Sequence, residues 1–243
     1  MKTSNGVKIS LIIPAYNEEN YIGECLASVQ KYANDLFEVI VVDNVCTDRT
    51  AEIAESFPFV RVVKQPNKGL LWARQKGFEE AKGDLLAYID ADCRLSPNWL
   101  PEVLKEFEKN EKLISLSGPY RYYDLSPFYN FFANISWWLS APITYRIVGY
   151  MVLGGNFVVK KEVVEKIGGF NTTEVAFYGE DTDLARRIAP YGKVKFKMNF
   201  FIRTSGRRLL HEGLFKAFWT YGLNFLWEVM FKKPLTKTYA DVR

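Results

Sequence analysis

Residues 84–92 read DLLAYIDAD, a run of apolar side chains that stops abruptly at Asp90-Ala91-Asp92. A short, unbroken apolar run of this length is the pattern of a strand buried on both faces, as in a parallel sheet covered by helices. The same arrangement recurs upstream. Positions 8–13, 37–43 and 59–64 are aliphatic or β-branched runs, and each gives way to a helical pattern. Asn17 is placed to cap a helix through Glu18, Ile22, Leu26 and Val29, whose apolar members share one face, and Thr47 is placed to cap the next. Asn67-Lys68-Gly69 precedes a helix carrying Trp72, Ala73, Lys76 and Phe78, and Ser96-Pro97 supplies a cap followed by proline at a first helical position. Strands and helices alternating at this spacing predict an α/β fold with a mostly parallel central sheet flanked by helices.

The texture changes after residue 120. Positions 127–152 are dense in aromatic and aliphatic residues, interrupted by Asn130, Asn134, Ser136, Ser140, Pro142 and Arg146. Strand-like runs at 156–159 and 193–198 flank an acidic helix start, Glu180-Asp181-Thr182-Asp183. A helix expected over 214–231 carries Lys216, Thr220, Asn224, Glu228 and Lys232 four apart, which makes it a C-terminal amphipathic helix. The expected division is a domain over 1–210, with halves 1–120 and 121–210, followed by the C-terminal helix and tail over 211–243.

Composition bounds the chemistry. With 243 residues, 48% hydrophobic and 25% charged, the chain is an ordinary globular protein able to bury a core. A formal charge of +4, from 32 basic and 28 acidic side chains, is too mild for a nucleic-acid binder and suits an anionic ligand or lipid surface. Cys25, Cys46 and Cys93 lack metal-site or disulfide spacing, so a reducing cytoplasm is expected. The polar N-terminus does not read as a signal peptide. No run of 18 uninterrupted apolar residues suggests a membrane span.

In open α/β sheets ligands bind beyond the carboxyl ends of the strands. Four polar clusters fall there: Pro14-Ala15-Tyr16-Asn17-Glu18, Asp43-Asn44, Asn67-Lys68-Gly69 and Asp90-Ala91-Asp92. Each alone reads equally as a cap, a turn or a solvated loop, but their placement at successive strand ends points to one crevice. Two carboxylates spaced Asp-x-Asp suit a hard divalent cation, magnesium or manganese, with positions left open for phosphate oxygens. Asp43 and Asn44 are suited to a base edge or a ribose, while Lys68 and Arg74 are cations for phosphate or for solvent. Glu180 and Asp181 form a second acidic site. They read either as a charged helix N-terminus or as a base for an acceptor hydroxyl.

At these residues the chain resembles the family 2 glycosyltransferases, which have the nucleotide-diphospho-sugar transferase fold of GT-A type. The matching text is IPAYNEE, VVDNVCTDRT, NKGLLWARQKGFEEAKGDLLAYIDADC, GGNFVVKKEVVEKIGGF and YGEDTDLARRI, in family order and spacing across nearly the whole chain. The resemblance implies that Pro14 to Glu18 and Asp43-Asn44 hold the nucleotide of a nucleotide-diphosphate sugar, making 1–120 the donor half. It implies that Asp90 and Asp92 bind metal and donor, and that Asp181, beside Glu180, is the base of an inverting single displacement in the acceptor half. In some relatives a histidine after the last strand completes the metal shell, a role that His211 would take here, although a lone histidine is as readily a plain surface residue.

Departures from the family text matter too. Where many relatives read Asp-Asp-Gly-Ser-Thr-Asp, this chain has Asp43-Asn44-Val45-Cys46-Thr47-Asp48, so a different turn is expected. The Gln-x-x-Arg-Trp segment of the processive synthases is absent, which favours addition of a single sugar. Arg203, Arg207 and Arg208 flank Thr204-Ser205-Gly206, a loop expected to close over the donor diphosphate or to lie solvated. Aromatic residues of the two apolar stretches, such as Phe128, Trp137, Trp138 and Trp219, suit core packing, a bilayer interface or a homodimer interface. On the bilayer reading the acceptor is polyprenyl-linked or otherwise lipid-linked, and the protein sits peripherally on the inner face of the cytoplasmic membrane, in cell-envelope glycan or glycolipid synthesis. A sugar nucleotidyltransferase would show a glycine-rich loop after the first strand. A non-catalytic scaffold of the same fold would have lost Asp92 or the Glu-Asp pair.

Overall fold

A computed structural model of the chain describes residues 6–173, 179–213, 216, 219–220, 223–224, 227 and 230–231. The apolar runs become strands and the amphipathic runs helices: β1 (Ile9–Ala15), α1 (Ile22–Tyr32), β2 (Glu38–Asp43), α2 (Thr50–Glu55), β3 (Val60–Lys64), α3 (Leu70–Glu80), β4 (Leu85–Ile89) and α4 (Trp99–Lys109). The second part contains β5 (Leu113–Ser117), β6 (Tyr120–Tyr122), α5 (Pro127–Val148), β7 (Asn156–Lys160), α6 (Lys161–Lys166), α7 (Glu180–Ile188), β8 (Lys193–Phe196), β9 (Ile202–Thr204) and α8 (Arg207–Glu212).

Seven strands form one sheet in the order β3-β2-β1-β4-β7-β5-β8, and β6 pairs with β9 in a separate two-stranded ribbon. All pairs in the large sheet are parallel except those of β7, which runs antiparallel between β4 and β5. Successive residues of a strand face opposite ways, so β1 serves two cores. Leu11 and Ile13 pack in one layer with Leu26, Val29, Trp99 and Val103. Ile12 packs in the other with Leu71, Ala73, Leu184 and Ile188. In α1 the buried residues Ile22, Cys25, Leu26 and Val29 recur at the spacing of one helical face.

Several local expectations are corrected. Helix α1 begins at Ile22, four residues later than the text around Glu18 suggests, because Asn17 adopts φ 52° and its Oδ1 accepts the Thr47 N–H at 2.8 Å. Asn17 therefore ties two loops together instead of capping a helix. Asp48, not Thr47, receives the first N–H of α2, at 3.0 Å from Thr50. Helix α4 starts at Trp99, just past Ser96-Pro97. Strands β5, β6 and β9 lie outside the expected set, and β7 joins the two halves 1–120 and 121–210 into one sheet. The expected boundary between 210 and 211 falls inside α8. Of the expected C-terminal helix, Lys216, Trp219, Thr220, Leu223, Asn224, Trp227, Met230 and Phe231 are helical, while Glu228, Lys232 and the other positions lie outside the described residues. No helix among the described residues is long and apolar enough to cross a membrane.

Candidate active site

The four polar clusters meet where β1, β2 and β4 end. The first two are fastened to each other: Glu18 N–H donates to Thr50 Oγ1 at 2.7 Å, Glu19 N–H to Asp48 Oδ2 at 3.1 Å, and Cys46 N–H to Asp43 Oδ1 at 2.9 Å. Val45 follows Asn44 with φ 64°, a left-handed conformation costly for a β-branched side chain. The turn after Asp43-Asn44 is thus left-handed at the position where glycine was expected from the family text. Asn44 is buried, and its amide is fully engaged with the third cluster. Its Nδ2 donates to the carbonyls of Gln65 (3.2 Å) and Asn67 (2.6 Å), and its Oδ1 accepts Gly69 N–H at 2.7 Å. Asn44 therefore shapes the wall of the crevice. Lys68 reaches back over the first cluster, with Nζ 2.7 Å from Tyr16 Oη and 4.0 Å from the ring centre.

At the end of β4, Asp92 is enclosed by three groups from later in the chain. Thr204 Oγ1 donates to its Oδ1 at 3.0 Å, Tyr123 Oη donates to its carbonyl at 3.2 Å, and Arg207 Nη2 stands 3.3 Å from its Oδ2. The same Arg207 nitrogen donates to Glu18 Oε1 at 2.6 Å, and the guanidinium lies over the Tyr21 ring at 4.4 Å. Ser205 and Gly206 are held by Asp124, at 2.5 and 2.6 Å, so the arginine is presented from an anchored turn. Burial, with the nearby charge of Asp90, pushes the Asp92 carboxyl up to about 7 against the opposing pull of Arg207.

The second acidic pair opens α7. Asp181 Oδ2 accepts Gly154 N–H at 3.1 Å and its Oδ1 accepts Thr182 N–H at 2.8 Å, which fixes the carboxylate by two backbone donors. Glu180 stands 3.6 Å from Arg74 Nη1. Arg74 is only 2% exposed, its Nε has no partner among the described residues, and its guanidinium faces the Phe157 ring. Burial raises both carboxyl groups of the pair, and Arg74 opposes that rise.

The two acidic pairs are joined by Gly154-Gly155. Gly155 N–H donates to Tyr120 Oη at 2.8 Å, and a Cβ there would overlap Asp90 Oδ2. A Cβ at Gly154 would overlap Arg74 Nη2. These glycines permit an approach that any added Cβ would push apart. Asn156, fully buried, anchors the turn by donating to the carbonyls of Gly118 and Phe200, at 3.2 and 2.8 Å, and accepting from Trp99 Nε1 at 3.0 Å.

The structure therefore brings Glu18, Asp90, Asp92, Arg207, Glu180 and Asp181 to one crevice. Arg74, expected as a cation for phosphate or for solvent, is buried against Glu180. His211 is exposed on α8, and among the described residues no group of three His, Cys, Asp or Glu side chains is arranged to hold a metal. Arg207 is the group that meets Asp92. Sequence reasoning missed Tyr120, Tyr123, Asp124 and Asn156 as parts of this site. The signal available was the doubled glycine, which marks close backbone approach.

Residues 10–168 match the family model described as Glycosyl transferase family 2, and residues 139–206 match a second, described as the N-terminal domain of galactosyltransferase. Glycosyltransferase AglE of Haloferax volcanii is 31% identical over 195 residues, 76% of this chain and 62% of that protein. The undecaprenyl-phosphate 4-deoxy-4-formamido-L-arabinose transferase of Pseudomonas fluorescens is 34% identical over 110 residues, 42% of this chain and 32% of that protein. The chain thus spans less than two thirds of the length of either curated relative. Mannosyltransferase PcManGT from Pyrobaculum calidifontis, solved with GDP-Man and Mn2+, shares the fold with a TM-score of 0.63 at 20% identity, over 87% of this chain and 63% of that one.

Proposed function

This chain belongs to glycosyl transferase family 2, and we propose that it transfers a single sugar from a nucleotide-diphosphate donor to a hydroxyl or phosphate acceptor with inversion at the anomeric carbon. The observation that carries this reading is the doubled glycine, where Gly154 N–H binds the Asp181 carboxylate and the missing side chain of Gly155 lets the Asp90 carboxylate lie against the same short turn.

Asp181 is the proton acceptor. Held by two backbone donors, with Arg74 opposing its protonation, it takes the proton of the acceptor hydroxyl as that oxygen bonds to the anomeric carbon. The bond from that carbon to the β-phosphate oxygen breaks on the opposite face, and the electron pair leaves with the nucleoside diphosphate. A phosphate acceptor, already ionised, needs no such base. The first two clusters form the nucleotide wall, with Lys68 and Tyr16 at its rim.

The crevice gathers five carboxylates, Glu18, Asp90, Asp92, Glu180 and Asp181, against two arginines, Arg74 and Arg207. That excess of negative charge fits a divalent cation. Asp90 and Asp92 would hold it, magnesium or manganese, and when bound it supplies charge neutralisation for the departing diphosphate. The Mn2+ in the mannosyltransferase supports the same reading. The polyprenyl-phosphate acceptor in the name of the Pseudomonas fluorescens relative supports a lipid-linked acceptor here, and with it peripheral residence at the inner face of the cytoplasmic membrane and a role in envelope glycan or glycolipid synthesis.

A thermal-shift screen of nucleoside diphosphates and nucleotide sugars, with and without Mn2+, tests the donor. A ligand at about 100 times its Kd stabilises the fold by about 2.7 kcal/mol. We expect one nucleotide to raise Tm only with metal, and Asp92→Asn to remove that rise. No rise with any nucleotide sugar at saturating concentration overturns the reading.

A further inference from the structure

Helix α5 is built with two unlike sides. Ala133, Trp137, Ala141 and Tyr145, four apart, face the protein: Ala133 and Ala141 are buried, Trp137 packs on Tyr120 and Phe196, and Tyr145 Oη donates to the Val194 carbonyl at 2.7 Å. Phe128, Phe131, Ile135, Trp138, Leu139 and Ile143 occupy the other side and are exposed, Trp138 by 69%. The 22-residue helix is about 33 Å long, so this is a continuous apolar strip. Trp219, Met230 and Phe231, described positions further along the chain, are themselves exposed and do not cover it.

Charge distinguishes the candidate occupants. From 125 to 161 the sequence contains no Asp or Glu, and Arg146 is exposed on the apolar side of α5. The β6–β9 ribbon beside the helix pairs Arg121 with Arg203 in register, and both are exposed. The nearest acid in sequence, Asp124, is engaged by Ser205 and Gly206. An isologous dimer on this strip would set these cations against their own copies with no acid to pair them. An anionic bilayer supplies the missing charge, and Trp and Tyr are at home at headgroup depth.

We propose that the outer side of α5, rimmed by Arg121, Arg146 and Arg203, seats the protein on the surface of an anionic phospholipid bilayer. The helix lies in the plane of the interface. Because β6 leads into α5 and Tyr123 holds Asp92, the membrane-facing helix is joined directly to the Asp92 end of the crevice. The inference rests on the lipid-acceptor reading only for what the membrane delivers.

The full chain should cosediment with vesicles of equal parts phosphatidylcholine and phosphatidylglycerol and not with phosphatidylcholine alone, with a blue shift of tryptophan emission. Trp138→Glu and Leu139→Glu, at exposed positions, should each lower partitioning about tenfold or more. Arg146→Gln should lower it about fivefold, the worth of one basic residue near such a surface. Wild-type protein that stays in solution with anionic vesicles overturns the proposal. So does undiminished binding of both Glu variants, and so does a solution dimer, seen by light scattering, that Leu139→Glu splits. Nucleotide-dependent stabilisation measured on the same samples keeps the readings apart. Its absence sinks the donor assignment without touching the vesicle result, and vesicle binding without transfer to a polyprenyl phosphate sinks the acceptor alone.

Discussion

Arg74 and Arg207 each stand beside a pair of carboxylates, yet they live in different surroundings. Arg74 is 2% exposed, comes from a helix in the middle of the sheet's cover, and touches Glu180 from beneath. Arg207 is 22% exposed, begins the short helix α8, and reaches Glu18 and Asp92 from the rim. A buried charge cannot be withdrawn from its partner without leaving that partner uncompensated, whereas a charge at the rim can exchange its partner for water or a ligand. The first arrangement suits a base that must stay in one place and begin each turnover ionised. The second suits a site whose counter-charge must give way when a diphosphate and its cation enter.

Breaking the buried half should have the largest effects. Asp181→Asn keeps size and one of the two backbone contacts, since its amide nitrogen cannot accept an N–H, and it cannot accept a proton, so turnover should fall by about 10³-fold while nucleotide affinity changes little. Near-normal kcat in this variant would remove Asp181 from the mechanism. Arg74→Met leaves Glu180 and Asp181 facing each other in a buried place and should cost about 3–5 kcal/mol in chemical denaturation. Adding Glu180→Gln to that variant should recover part of the loss, because one of the two buried charges is gone. A double variant no more stable than the single would mean that Arg74 acts through packing against Gly154 instead.

The rim half should respond more mildly. Asp92 has its carboxyl raised to about 7 from 3.8, so the folded protein favours the protonated form, and the stabilisation present below 3.8 is lost as pH rises through about 7. Metal-free Asp92→Asn should therefore melt with wild type near pH 4 and above it at about pH 8, by on the order of 2–4 kcal/mol. A gap that is constant across this range would contradict the burial argument. Arg207→Gln should cost only about 1 kcal/mol in stability. It should also tighten Mn2+ binding in calorimetry without nucleotide, since the guanidinium no longer shares Asp92; weaker binding would make Arg207 a partner of the cation, not its substitute.

What could be read from the sequence follows the range of the interactions involved. Strands β1 to β4 were legible because their apolar runs are continuous and each ends in a polar cluster, a local pattern with a local cause. The insertion of β7 between β4 and β5 was not legible, since antiparallel pairing of Ile89 with Asn156 is a long-range event. Strand β5 escaped notice because LISLS mixes serine into a buried run, and Ser117 is satisfied only at long range, donating to the Asn156 carbonyl and accepting the Leu153 N–H. The acids of the site stood out as residue types at strand and helix ends. Arg74 stood out only as a cation for phosphate or solvent; its buried place against Glu180 was not legible, because that partner lies 106 positions away and nothing nearby marks the arginine as buried.

Gly154 and Gly155 have a consequence best expressed in the language of the genetic code. Every codon for glycine is one base from alanine, valine, arginine and either aspartate or glutamate, and every such change adds at least a Cβ. At these two codons that atom lands on Arg74 or on Asp90. Any amino-acid replacement there must push aside the Arg74 guanidinium or the Asp90 carboxylate, so a single base change at either codon is enough to disturb one of the acidic pairs.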